Sequence, residues 1–200
     1  KRLLRTRHRF TNKGTYGHAL IVGGSYGKIG AAILSGKATL RSGAGLLTLL
    51  LPKCGYQIAQ TALPEAMVLT ASQEEELAPT DIPFSPSAIG IGIGMGTSAY
   101  AQGTLAALLR NFPTVPFVID ADALNLVASS EDLLRALPKN TILTPHPKEL
   151  ERLIGKWSDD LDRQAKAKEF AKKHKVILVL NGAFTMITDG DHFWVNSTGN

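Results

Sequence analysis

Two carboxylates and an amide stand close together in DADALN, Asp120 to Asn125. Asp120 follows the apolar run Phe117–Ile119, which predicts a strand with Asp120 at its carboxyl end. There Asp120 and Asp122 suit Mg²⁺ held through water, since that ion prefers hard oxygen ligands. Asp122 is equally suited to cap the helix that follows. A second candidate is TPHP, Thr144 to Pro147. Its two prolines restrict the backbone, so the His146 imidazole is aimed rather than free. Two glycine-rich stretches, GGSYGKIG (Gly23 to Gly30) and GMGTSA (Gly94 to Ala99), each fall between a strand and a helix. Glycine permits positive φ and lets backbone N–H groups approach an anion or a flat ligand. The first is not a P-loop, because Gly23 is too close to Gly27 and Ile29 follows Lys28. The second fits G-x-G-x-x-A, and with Asp120 it leaves open a dinucleotide-binding oxidoreductase. NGAFT, Asn181 to Thr185, offers backbone N–H groups and the Thr185 hydroxyl to a phosphate. On spacing alone it is also a hairpin turn. Zinc-protease and serine-hydrolase motifs are absent from the sequence.

These residues need strands behind them. Short apolar runs predict strands at Ala19–Gly24, Leu46–Leu51, Ala88–Ile93, Phe117–Ile119, Thr141–Leu143 and Val176–Leu180. Helical spacing is expected over Lys28–Ser42, Cys54–Ala62, Ala99–Asn111, Ala123–Val127, Glu131–Leu137, Lys148–Ile154 and Leu161–His174, with Pro147 opening one helix. Phe184–Thr188 and Phe193–Val195 predict a hairpin around Asp189-Gly190. Gln73–Leu77 and the prolines at 79, 83 and 86 mark a surface connection. Alternating strands and helices imply an α/β fold, a mostly parallel sheet with helices on both faces. In such sheets ligands bind beyond the carboxyl ends of the strands, where the candidate residues fall.

Composition bounds the remaining choices. The 200 residues are 44% hydrophobic and 20% charged, as in an ordinary globular domain, so global disorder is excluded. No apolar run approaches the about 20 residues that span a bilayer. Cys54 is the single cysteine, which excludes an internal disulfide and suits a cytoplasmic location. The net charge of +5 is concentrated at Lys1, Arg2, Arg5, Arg7, Arg9 and Lys13. We read residues 1–12 as a basic linker rather than a nucleic-acid or membrane-binding arm, and residues 13–200 as the folded domain.

The ordered set KGTYGHALIVGGSYGKIGAA, RSGAGLLT, PEAM, GIGMG, DADALN, LTPHPKEL and LVLNGAFTMITDG closely resembles the ADP- or ATP-dependent NAD(P)H-hydrate dehydratases. The resemblance runs from Lys13 onward and implies a ribokinase-like fold. It implies a substrate, NADH or NADPH hydrated across the C5–C6 bond, whose C6 hydroxyl is phosphorylated and lost as phosphate. By resemblance Ala31, Gly94, Gly96 and His146 would line the hydrate pocket. Asn181, Gly182, Ala183, Phe184 and Thr185 would lie along ADP or ATP, and Asp120, Asp122 and Asn125 near phosphate and Mg²⁺. A homo-oligomer and fusion to an N-terminal NAD(P)H-hydrate epimerase domain are further implications. Two departures stand out. The family's Gly-Thr-Gly-Asp motif, which carries its general base, would follow NSTGN (Asn196 to Asn200) and is not in the sequence. The fold's C-terminal part is therefore expected to be missing, leaving the chain inactive with apolar surface exposed. The nucleotide turn opens with Asn181 where the family has lysine. Alternatives are a ribokinase-like small-molecule kinase and a non-catalytic nucleotide-binding module.

Overall fold

The computed structural model describes residues 9–182 and 184–197. The basic residues Lys1, Arg2, Arg5 and Arg7 lie outside them, as do Ala183 and Asn200. Nine strands form one sheet: β1 (His18–Val22), β2 (Leu46–Leu51), β3 (Met67–Thr70), β4 (Ala88–Ile91), β5 (Phe117–Ile119), β6 (Ile142–Leu143), β7 (Ile177–Leu180), β8 (Thr185–Thr188) and β9 (Phe193–Asn196). Their order is β3-β2-β1-β4-β5-β6-β7-β8-β9. The first seven are parallel, and β8 and β9 return antiparallel as the sequence predicted. The helices are α1 (Ile29–Arg41), α2 (Tyr56–Ala62), α3 (Ala99–Asn111), α4 (Ala121–Ala128), α5 (Glu131–Arg135), α6 (Pro147–Ile154) and α7 (Asp160–His174).

Strand alternation divides the core in two. Ile21, Leu47, Leu49 and Leu51 face Ile29, Ala32 and Ile33 of α1 and Ala59 of α2. Leu20, Val22, Ile89, Ile91, Phe117 and Ile119 face the other way, toward α3, α4, α6 and α7. The small residues of α1 have a packing reason: a Cβ on Gly36 would lie 2.8 Å from Leu63 and 3.1 Å from Leu49. On the α1 side the cover stops short. Val118, in the middle of the sheet, is 39% exposed. It lines an open cavity of about 480 Å³ with Ala19, Ile21 and Gly90. Parallel strands are ordinarily covered on both faces, so Val118 is unusual in lying open on one of them.

Two local expectations are corrected. The helix expected over Cys54–Ala62 begins as a 3-10 turn, Lys53–Gly55, and becomes α-helical only at Tyr56. β3 was not foreseen: its apolar run Met67–Leu69 is short, and periodicity alone does not tell such a run from a helical or loop segment.

Candidate active site

The two glycine-rich loops meet above β1 and β4. Gly24 N–H donates to the Ile93 carbonyl at 2.8 Å, and Ser25 Oγ donates to the Gly94 carbonyl at 2.8 Å. A Cβ on Gly23 would fall 2.5 Å from the Ile93 carbonyl oxygen, so only glycine lets the loops approach this closely. Gly94 and Gly96 both take positive φ, 63° and 75°. Ala31 is half-buried in the first turn of α1, next to this junction in sequence.

The acidic stretch after β3 is more than a surface connection. Its carbonyls at Gln73, Glu74 and Glu75 accept N–H groups from Lys53, Cys54 and Tyr26. Glu76 accepts a short hydrogen bond from Ser98 Oγ, and Ser98 in turn caps α3 by accepting Ala101 N–H. Ser25, Glu76 and Ser98 were missed from the sequence, since each acts on a residue distant along the chain.

In DADALN the structure gives each polar side chain a different partner. Asp120 Oδ1 accepts its neighbour Ala121 N–H at 2.8 Å, and Ala121 sits at φ 48°. Asp122 Oδ2 accepts Gly96 N–H at 2.9 Å, while Asp122 N–H donates to the Gly92 carbonyl at 3.2 Å. Asn125 donates to the Ala121 carbonyl at 3.3 Å and accepts a short hydrogen bond from Arg152. Asp122 and Asn125 thus brace the backbone, and Asp120 keeps its second oxygen unbonded among the described residues. No group of three or more His, Cys, Asp or Glu that could hold a metal occurs among the described residues.

Asp120, Thr144 and Asn181 end β5, β6 and β7 or follow them directly, and all three line the 480 Å³ cavity. His146 stands outside it, at the start of α6. Its Nδ1 accepts N–H groups from Lys148 at 3.1 Å and Glu149 at 3.4 Å. Glu149, itself buried, returns the favour by accepting His146 N–H at 3.0 Å, completing a capping box. With Nδ1 an acceptor, the ring proton belongs on Nε2, on a half-exposed side chain beside Glu149 Oε1 at 3.4 Å. Asn181, Gly182 and Phe184 are exposed at the turn after β7, and Thr185 is half-buried at the start of β8. Ala183 lies outside the described residues.

Residues 19–200 match the sequence profile of a family described as NAD(P)H-hydrate dehydratase. The chain belongs to the NAD(P)H-hydrate dehydratase family. It is 35% identical over 99% of its length to an ADP-dependent (S)-NAD(P)H-hydrate dehydratase of Neisseria meningitidis, covering 67% of that protein. It is also 35% identical, over 99% of its length, to a bifunctional NAD(P)H-hydrate repair enzyme of Coxiella burnetii, of which it spans 40%. Among solved structures, the Bacillus subtilis ADP/ATP-dependent NAD(P)H-hydrate dehydratase, co-crystallised with ATP/Mg²⁺, superposes with a TM-score of 0.77. That alignment has 30% identity and covers 98% of this chain and 69% of the other. A ribokinase-like superfamily protein of Enterococcus faecalis aligns at TM-score 0.82 and 25% identity, over 98% of this chain and 68% of that one. The dehydratase family is thus matched along both glycine loops, DADALN, TPHP and the turn after β7. Among the described residues no helix is long and apolar enough to cross a membrane.

Proposed function

We propose that the chain is the catalytic domain of a nucleotide-dependent dehydratase that restores NADH or NADPH from its (6S)-hydrate. The observation that carries this reading is the family match over residues 19–200, which takes in every loop at the sheet's carboxyl edge. Hydroxide is a poor leaving group and phosphate a good one. Phosphoryl transfer from ADP or ATP to the C6 hydroxyl, followed by loss of phosphate and the C5 proton, regenerates the nicotinamide double bond. Such transfer is catalysed mainly by positioning and electrostatics.

The residues divide accordingly. Ala31 and the Gly94–Gly96 loop form the hydrate side, with His146 offering its Nε2–H as a donor to the substrate. Asn181, Gly182, Phe184 and Thr185 follow the nucleotide, and Ala183 belongs to the same turn. Mg²⁺ would arrive with the polyphosphate, since this ion is usually bound by one or two carboxylates plus substrate phosphates. Asp120, with one carboxylate oxygen unbonded, fits that duty; Asp122 and Asn125 serve it indirectly by holding the loop around it. Bound there, the ion would neutralise charge on the transferring phosphoryl group. Fusion to an epimerase domain, homo-oligomer assembly and a cytoplasmic location complete the proposal.

The test is recovery of nicotinamide absorbance from NADH hydrate by the natural full-length protein, supplied with ADP or ATP and Mg²⁺. Failure to recover it, with phosphorylation of a sugar or vitamin precursor instead, would replace this reading with that of a small-molecule kinase.

A further inference from the structure

Arg163 lies in the first turn of α7, at the carboxyl edge of the sheet, and looks in sequence like one charge among many. Its surroundings are unusual. Its Nε is buried, and among the described residues it is the one buried side-chain nitrogen or oxygen with no hydrogen-bond partner. An unpaired N–H on a charged group is costly to bury, and native structures rarely leave one without a reason. The rest of the guanidinium is only lightly engaged. Nη2 is 3.3 Å from Asp160 Oδ1, on a side chain 76% exposed, and 3.9 Å from Met186 Sδ.

Arg163 lines a cavity of about 210 Å³ between two loops that the family match takes in. Pro145 and Pro147, on either side of His146, form one wall. Asn181, Gly182 and Phe184, of the turn between β7 and β8, form another. Among the residues lining this cavity Arg163 is the one cation, and the turn itself opens with a neutral Asn181. A guanidinium presents five donors in a planar fork that suits phosphate oxygens. We propose that Arg163 is a phosphate-binding residue, supplying the positive charge for a nucleoside di- or triphosphate held at the β7–β8 turn. This inference rests on the nucleotide reading of that turn. It assigns to α7, in this chain, a charge that the turn residue Asn181 does not carry.

The experiment is titration calorimetry on the natural full-length protein with ADP and with adenosine, at low and high salt. Arg163→Gln should weaken ADP about 10- to 100-fold, the size of a lost charge-assisted pair, and flatten the salt dependence. Adenosine, lacking phosphate, should bind wild type and variant alike. Arg163→Lys should retain part of the affinity, since it keeps the charge and loses the fork. Asn181→Lys should restore ADP binding in the Arg163→Gln background. The melting temperature of ligand-free Arg163→Gln should fall by only a few degrees, because Nε has no partner to lose and the Nη2 pair with the exposed Asp160 contributes little. Unchanged ADP affinity in Arg163→Gln overturns the proposal alone, and so does an equal loss for ADP and adenosine. Wild-type protein that binds neither ADP nor ATP overturns both this proposal and the functional reading beneath it.

Discussion

The Asp122 carboxylate holds the Gly96 N–H at 2.9 Å across 26 positions of chain, tying the loop after β4 to the loop after β5. A charge-assisted hydrogen bond of this kind is worth about 1.5–3 kcal/mol. Asp122→Ala should lower the melting temperature by about 3–12 °C in a domain of this size. Asp122→Asn keeps a neutral acceptor and should lose less. Hydrogen exchange at the Gly96 amide reads the cause directly: it should accelerate in Asp122→Ala, and protection at wild-type level would show that the brace is dispensable.

Gly92 and Gly27 separate backbone strain from steric overlap. Both take positive φ, 127° and 80°. A Cβ on Gly92 would lie 1.8 Å from the Asp120 carbonyl oxygen, whereas one on Gly27 meets nothing within 4 Å. Gly27→Ala should cost about 1–2 kcal/mol, the penalty of left-handed backbone. Gly92→Ala should cost more than about 4 kcal/mol or prevent folding. Urea denaturation of the two variants checks the contrast.

His146 carries two roles that one substitution can split. His146→Ala removes the cap of α6 and should cost about 0.5–2 kcal/mol. His146→Asn supplies a good capping oxygen in place of Nδ1 and should keep most of that stability. It lacks the Nε2–H, so use of the hydrate should fall as far as in His146→Ala, with nucleotide affinity intact. Hydrate kinetics, nucleotide calorimetry and melting curves on both variants decide the matter. Full activity in His146→Asn would reduce His146 to a cap.

Acid should destabilise the fold in two stages. His18 stacks on Phe84 with ring centroids 3.9 Å apart and bonds Thr48 through Nε2 at 2.8 Å. Burial lowers its pKa below the ordinary 6.5. The unfolded chain therefore takes up this proton first, and stability falls as the pH drops below about 6.5. His174, lowered by burial and by Lys173, adds to the same stage. Asp189 works in the opposite sense of charge. It accepts backbone N–H groups from His192 and Asp191 and faces the His192 ring, which together hold its pKa at about 2. Its contribution is present above the ordinary 3.8 and is lost as the pH falls through about 2. Urea midpoints against pH should flatten near neutrality in His18→Gln and at the acid end in Asp189→Asn.

Much of this was legible in the sequence, and the exceptions share a cause. The apolar run Phe117–Ile119 places Asp120 at a strand end because a short apolar strand stops where polarity begins. Pro147 announces the start of α6 for a similarly local reason. The division of labour among Asp120, Asp122 and Asn125 was not legible. It depends on Gly96 and Arg152, which tertiary structure alone brings near. Glu76 and Ser98 were hidden likewise, one inside an acidic stretch and the other in a glycine motif. Arg163 was hidden by its company, since a helix rich in Lys and Asp gives no sign of which charge faces inward.

The interior strand β1 has neighbours made at very different times. His18 pairs with Leu46, but Ala19 must also pair with Ala88. The extra loop-closure entropy is small, about 0.8 kcal/mol from the logarithm of the two separations. The delay during synthesis is not. Roughly 40 residues separate the end of β2 from the end of β4, or about 2–8 seconds at ordinary ribosomal speeds. Through that interval the nascent chain carries β1 with one row of peptide groups unpaired. The step in translation most exposed to strand-to-strand association between neighbouring ribosomes therefore lies before Ala88–Ile91 has emerged.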